Sequence, residues 1–201
     1  MGVLRLSEAG IVDYQKYSNF LAGNDPFSPG SDDFLEEVIL DSSASSVSFT
    51  GLDAYSDYKH LQIRVIARTD RTAFNRDTLA ITINGDNSSV YSQHALSGSG
   101  ANVSSSGRAS DSEMYIGNIS SNLDLANVYS PIVVDILDAF SSSKNTTIRA
   151  FTARIGSDPI FVGLQSGSYQ NTNSVSSINW VVDSGSNFVA GSRFSLYGSR
   201  G

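Results

Sequence analysis

The chain has 201 residues and a formal net charge of −7, from 13 basic and 20 acidic side chains. That acidic balance argues against a nucleic-acid partner, which needs a basic face to neutralise phosphates. The absence of cysteine excludes disulfides and thiolate chemistry. No apolar run approaches the roughly 20 residues of a membrane-spanning helix, so we expect no membrane partner.

Serine dominates the polar residues, with 37 copies, while charged residues make up only 16% of the chain, below the roughly 25% of typical soluble domains. The apolar fraction of 40%, with 10 Phe and 9 Tyr, is too high for a disordered chain. The first eight residues lack the apolar stretch of a signal peptide, so we expect no export.

Residues 1–36 show little strand patterning and are interpreted as an N-terminal arm, followed by a domain over 37–201. Part of the arm has helical spacing, and its aromatic rings need a surface to cover them. Two interpretations stay open, an arm folded onto its own domain and an arm docked on a neighbouring subunit. The aromatic residues assigned to assembly are Tyr14, Tyr17, Phe20, Phe27 and Phe34.

After the arm, short runs of alternating apolar and polar residues follow one another, separated by Ser, Gly and Asn. About ten short strands in this pattern predict an all-β fold, an antiparallel, jelly-roll-like β-sandwich. One short helical turn is predicted from Asp135 to Phe140. The predicted strands cover 38–40, 47–50, 61–67, 79–83, 90–96, 114–117, 132–136, 147–154, 161–166, 175–182 and 194–197.

Asn84-Gly85-Asp86-Asn87 tolerates positive φ angles and predicts a hairpin between the strands on either side. The same oxygens could hold Ca²⁺, but the turn explains them already. The two histidines, His60 and His94, lie alone in predicted strands, which favours structural over catalytic roles. We therefore predict no catalytic residue, no metal site and no cofactor.

Four arginines fall within thirteen residues, and Arg64 and Arg68 share a face of their predicted strand. They could meet an acidic arm of a neighbour or an anionic ligand. The alternative is that they pair with carboxylates of their own chain. Arg64 and Arg68 complete the set of predicted assembly residues.

The order of several strand motifs resembles a β-sandwich module of tailed-phage virion proteins, including those of phages that infect cyanobacteria. The resemblance covers about residues 36–201 and contains no catalytic motif. The motifs are YKHLQIRVIAR (58–68), INGD (83–86), YSQH (91–94), VDILD (134–138), SNF (186–188) and FSLYG (194–198).

The resemblance implies a non-enzymatic virion component, commonly trimeric, assembled in the host bacterial cytoplasm. The leading hypothesis is a capsid decoration or cement protein that binds the major capsid protein or other virion proteins through its arm. The alternative is a tail, baseplate or fibre component whose sandwich binds a host surface glycan. An enzyme acting on glycans is the third hypothesis and has no motif in its favour.

Overall fold

The computed structural model describes residues 32–157 and 160–200. Within them it contains twelve β-strands and one short 3-10 helix, Leu52–Tyr55, and no helix long and apolar enough to cross a membrane. The strands are β1 (Asp32–Ile39), β2 (Ser46–Thr50), β3 (His60–Ala67), β4 (Arg76–Ile83), β5 (Tyr91–Ser99), β6 (Asn102–Asp111), β7 (Met114–Ser120), β8 (Ser130–Leu137), β9 (Thr146–Arg154), β10 (Phe161–Tyr169), β11 (Ser177–Val182) and β12 (Arg193–Ser199).

The strands form two antiparallel sheets. One has eight strands in the order β1-β12-β3-β8-β9-β10-β5-β6, and the other has four in the order β2-β11-β4-β7. The chain changes sheet at most connections. In a jelly roll, four strands of each sheet are connected in this crossing manner. Here β1, β3, β8 and β12 are connected in that manner with the four strands of the smaller sheet, and β5, β6, β9 and β10 extend the larger sheet. The predicted jelly-roll-like β-sandwich is confirmed.

The core lies between the sheets and is made by period-two alternation. In β3 every second residue is buried, namely Leu61, Ile63 and Val65. Trp180 of β11 packs against Phe194 of β12 with ring centroids 5.6 Å apart. The Phe188 ring packs edge-on against the same Phe194 ring, with centroids 5.2 Å apart. These rings fill the space between the sheets, so the alternation predicted from the sequence places the core correctly in β3 and β12.

Several local predictions need correction. Twelve strands replace the predicted ten or so, because β6 is mostly polar, has no apolar alternation and was missed. Residues 32–36, assigned above to the arm, lie in β1 and pair with β12. The predicted helical turn from Asp135 is wrong, since Asp135 and Leu137 lie in β8 and turns follow.

The hairpin predicted at Asn84-Gly85 is also wrong. Both residues take positive φ angles, 56° and 65°, so the turn forms. However, β4 pairs with β11 and β7, while β5 pairs with β10 and β6. The turn therefore starts a crossing between the sheets. Tyr91 holds it, since its hydroxyl accepts the Ile83 N–H at 2.8 Å and donates to the Asp86 carbonyl at 2.9 Å.

Candidate functional site

The outer face of the eight-stranded sheet, turned away from the smaller sheet, carries a row of apolar side chains. Val133, Phe151, Leu164 and Leu96 follow one another as direct cross-strand partners on β8, β9, β10 and β5. Each is between 37% and 53% exposed. Because directly opposed residues have Cβ atoms about 4.5–5.5 Å apart, four strands present one continuous apolar ridge.

A second row lies beside the first, two residues further along each strand. Val103 pairs with Gly98, which pairs with Val162 on its other side, and Ile66 pairs with Pro131. The large exposed side chains of the two rows are here named the apolar face: Ile66, Leu96, Val103, Val133, Phe151, Val162 and Leu164.

A polar row borders the apolar face. Asp135 accepts hydrogen bonds from Arg149 at 2.7 Å and from Gln62 at 2.9 Å. An apolar centre with a polar rim is the anatomy of a protein–protein interface. Soluble monomers rarely expose large contiguous apolar patches. The apolar face is therefore the candidate assembly surface of the molecule.

Two of the predicted assembly residues lie at the β1 end of the outer face. Phe34 is 61% exposed and stands edge-on to Tyr197, with ring centroids 5.8 Å apart. The guanidinium of Arg64 lies 4.2 Å from the centroid of the same ring and 3.4 Å from Asp32. Tyr197 thus joins Phe34 and Arg64, and Arg64 pairs with a carboxylate of its own chain.

Arg68 is not part of this group, although the sequence pattern placed it on the same face as Arg64. It is buried just after β3 and donates to the backbone carbonyls of Asp124, Leu125 and Val128. Its role is to hold the loop between β7 and β8. Tyr14, Tyr17, Phe20 and Phe27, the remaining predicted assembly residues, lie outside the described residues.

A buried ion pair supports the loops at the end of the sandwich where β7 and β9 finish. Arg154 and Asp124 have side chains with no exposure and lie 2.7 Å apart. The Ser157 backbone N–H and hydroxyl also donate to Asp124. These contacts tie together the β7–β8 and β9–β10 loops, which expose apolar side chains at the loop end: Leu123, Leu125, Ile155 and Ile160.

Asp124 is charged because of its hydrogen bonds. Burial raises the pKa of a carboxyl group, and for Asp124 it is the largest single influence. Hydrogen bonds from Ser157 and from the Leu125 N–H together outweigh it and hold the pKa of Asp124 well below its ordinary value. The carboxylate is therefore ionised throughout the neutral range and serves as a fixed partner for Arg154.

A polar cleft opens on the inner side of the larger sheet, where β5 and β6 extend past the edge strand β7. Its floor includes Ala95 and Gln165, and its walls include Tyr115, Asn118 and Arg108. The guanidinium of Arg108 lies 4.6 Å from the centroid of the Tyr115 ring. The Tyr115 hydroxyl donates to Asp183 at 3.2 Å. The cleft has a volume of about 210 Å³.

The other residues considered for chemistry have protein partners. His60 Nδ1 accepts the Asp138 N–H at 2.9 Å, which fits the structural interpretation, and His94 is exposed on β5. Asn84 Oδ1 accepts the Ser176 N–H at 2.8 Å, and Asp86 accepts from Tyr169 at 3.1 Å. Among the described residues no group of three or more His, Asp or Glu is arranged to hold a metal ion.

Sequence reasoning missed both the apolar face and the cleft. It expected apolar and polar residues to alternate along each strand, yet β8 reads Ile132-Val133-Val134 and β9 reads Ala150-Phe151. Such unbroken apolar runs are typical of strands covered on both faces. These runs are the sequence signal from which the apolar face could have been predicted. The cleft depends on β6, which had no recognisable strand pattern.

A comparison with protein-family models and with curated proteins finds no match for this chain.

Proposed function

We propose that this protein is a non-enzymatic structural component of a tailed-phage virion, first of all a capsid decoration or cement protein. The apolar face carries the proposal. Seven large apolar side chains on one face of a sheet call for a partner surface. Burying one such side chain fully contributes about 1.5–3 kcal/mol, so partial burial of seven favours association and offsets part of the entropy that association costs.

We infer that the partner of the apolar face is a second copy of the same chain. An apolar sheet face suits this role because three copies around a threefold axis can each turn it inward. The polar row beside the apolar face would help to align the copies with one another, since Arg149 and Asp135 form an ion pair next to the apolar centre. This arrangement forms the homotrimer expected from the resemblance and leaves the loop end free.

The virion context comes from the sequence resemblance, and the fold is compatible with it. Double-sheet jelly rolls occur in viral capsid and lectin domains. A fold does not define a function by itself, so the assembly surface carries the argument. The arm, now residues 1–31 together with the strand β1 that follows it, is proposed to attach the trimer to the capsid lattice.

The attachment is tested with purified virions stripped of this protein. Three purified proteins are added back and co-sedimented with the particles: the full chain, a variant lacking residues 1–31, and Phe74→Asp as a control at an exposed aromatic on a loop. Retention of the full chain and of Phe74→Asp, with loss of the truncated variant, supports the arm as the anchor. Undiminished retention of the truncated variant overturns it.

The position of the protein in the virion distinguishes the proposed capsid role from the alternative, a tail, baseplate or fibre component. Antibodies against the full chain, imaged on intact virions, should decorate the head according to the proposal. Labelling confined to the tail favours the alternative, and absence of the protein from purified virions overturns the virion role.

A further inference from the structure

The cleft exists because β7 packs unusually close to the larger sheet. A Cβ atom at Gly117 of β7 would lie 2.4 Å from the Thr152 side chain of β9, and one at Gly167 of β10 would lie 2.9 Å from the Met114 side chain of β7. These glycines bring the smaller sheet down onto β9 and β10. The sandwich therefore ends at β7, and the inner face of β5 and β6 is left uncovered as the floor of the cleft.

The cleft is lined with groups that form hydrogen bonds. Gln165 pairs with Ala95, which pairs with Ser106, so one cross-strand row forms the floor. Thr78 and Asn118 face it from the smaller sheet. Amide, hydroxyl and guanidinium groups together supply both donors and acceptors, and the small Ala95 leaves space above the floor.

The walls are held in place before any ligand binds. Gln93 donates to Asp111 at 2.7 Å and accepts the Tyr115 backbone N–H at 2.7 Å, so it links the end of β6 to β7. Tyr115 is fixed in turn by Asp183 and covered by Arg108. Preorganised groups lose little entropy on binding, which favours affinity from a small number of contacts.

Two groups remain available within this fixed frame. Across the described residues, the side chains of Gln165 and Arg108 form no hydrogen bond or ion pair with protein atoms. Gln165 is half-buried on the floor and Arg108 is exposed at the rim. The Arg108 guanidinium presents a planar fork of donors, and the Gln165 amide presents a donor beside an acceptor, so each can bind two neighbouring hydroxyl groups.

Size and charge narrow the ligand class. At about 210 Å³ the cleft is below the roughly 300–1,000 Å³ of pockets for drug-sized ligands, which suits one ring-sized group. The lining of the cleft includes one cation, Arg108, and one carboxylate, Asp183, and the charges of Asp183 and Asp111 also act on nearby Glu113. Burial, with a further contribution from Asp183, raises the pKa of Glu113, as expected where negative charges crowd together. An anionic ligand is disfavoured here.

We propose that this cleft binds one ring of an uncharged saccharide. Gln165 and Arg108 would hydrogen-bond neighbouring hydroxyl groups, and the Tyr115–Arg108 stack would form the wall beside the ring. The inference stands apart from the assembly proposal, because the cleft and the apolar face lie on opposite faces of the larger sheet.

The test is isothermal titration of the full chain with a fixed panel of probes. The neutral probes are maltohexaose, cellohexaose, laminarihexaose and N-acetylchitohexaose, and the acidic probe is a galacturonate hexamer. We expect at least one neutral probe to bind. Gln165→Ala should raise its Kd at least tenfold, and Ala95→Phe, which fills the cleft, should abolish binding. Ser166→Ala, on the opposite face of β10, is the matched control and should stay within twofold.

Failure of every neutral probe to bind overturns the proposal, as does a Kd unchanged in both Gln165→Ala and Ala95→Phe. Tighter binding of the galacturonate hexamer than of all neutral probes overturns the ligand class. Unfolding temperatures within a few degrees of wild type establish that the variants are folded. Light scattering on the same samples reports the assembly state, so the two proposals fail separately.

Discussion

At β5 and β10 the inner face of the eight-stranded sheet carries polar side chains and its outer face carries apolar ones, which reverses the usual arrangement. On the inner face, which normally builds the core, these strands carry Gln93 and Gln165. On the outer face, normally polar, they carry Leu96 and Leu164, about half exposed. The four-stranded sheet ends at β7, so the inner face beyond it needs no apolar groups. Residue polarity here reflects what covers each face, and the apolar outer face indicates a cover that residues 32–157 and 160–200 do not provide.

The largest expected difference lies between a core ring and a ring of the apolar face. Phe194→Ala removes a fully buried side chain that packs against Trp180, and should lower the free energy of unfolding by about 3–5 kcal/mol. Phe151→Ala, measured by urea denaturation of dilute protein, should lower it by less than about 1 kcal/mol. Equal losses at the two positions would contradict the assignment of Phe151 to an uncovered surface.

Two ion pairs, the buried Arg154–Asp124 pair and the Arg149–Asp135 pair on the outer face, should differ almost as much in their effect on stability. Arg154→Met leaves Asp124 buried without its cation and should lower the free energy of unfolding by about 3 kcal/mol. Arg149→Met breaks the half-exposed pair with Asp135 on the outer face and should change it by less than about 1 kcal/mol. Chemical denaturation at pH 7 measures both. A larger effect for Arg149→Met would show that the loop end does not depend on the buried pair.

Asp124 should also govern stability in acid. Because its folded-state pKa lies below the unfolded value of about 3.9, the ionised carboxylate stabilises the fold above that value. The contribution is lost as the pH falls below about 4, at up to about 1.4 kcal/mol per pH unit. Asp124→Asn should be less stable at pH 7 and should lose stability less steeply in acid. Parallel profiles for the variant and wild type, measured by denaturation at several pH values, would contradict this.

The smallest expected effect tests why the sandwich ends at β7. Gly167→Ala places a Cβ atom against the Ser92 carbonyl and the Met114 side chain, and should lower the free energy of unfolding by about 1–2 kcal/mol. Gly98→Ala is the matched control on β5, because its Cβ would meet only Val162 at an ordinary 3.5 Å. We expect it to stay within about 0.5 kcal/mol of wild type. Equal values for the pair would remove the steric explanation of the cleft.

The sequence predicted the fold class and most strands because alternation in segments such as β3 reflects a core on one side. It failed where alternation does not decide the answer. Asn84-Gly85 formed its turn, but local turn chemistry does not specify which strands pair. β6 is exposed along nearly all its length and has no apolar pattern to detect.

The candidate surfaces were harder to predict for the same reason. Arg64 and Arg68 are four residues apart and would lie on the same face of a continuous strand, yet Arg64 is exposed and Arg68 is buried. The reason is that β3 ends at Ala67, so side chains no longer alternate between the two faces after that residue. The apolar face combines residues of β3, β5, β6, β8, β9 and β10, whose order in the sheet is set by topology. No local pattern contains that order.

The solution mass from multi-angle light scattering shows whether the apolar face joins copies of this chain. We expect about three times the chain mass of 21.4 kDa for the wild type and the mass of one chain for Leu164→Asp, with both proteins showing a strand-rich circular dichroism spectrum. A wild type that stays at the mass of one chain at every concentration, or a Leu164→Asp variant that keeps the wild-type assembly, would contradict it.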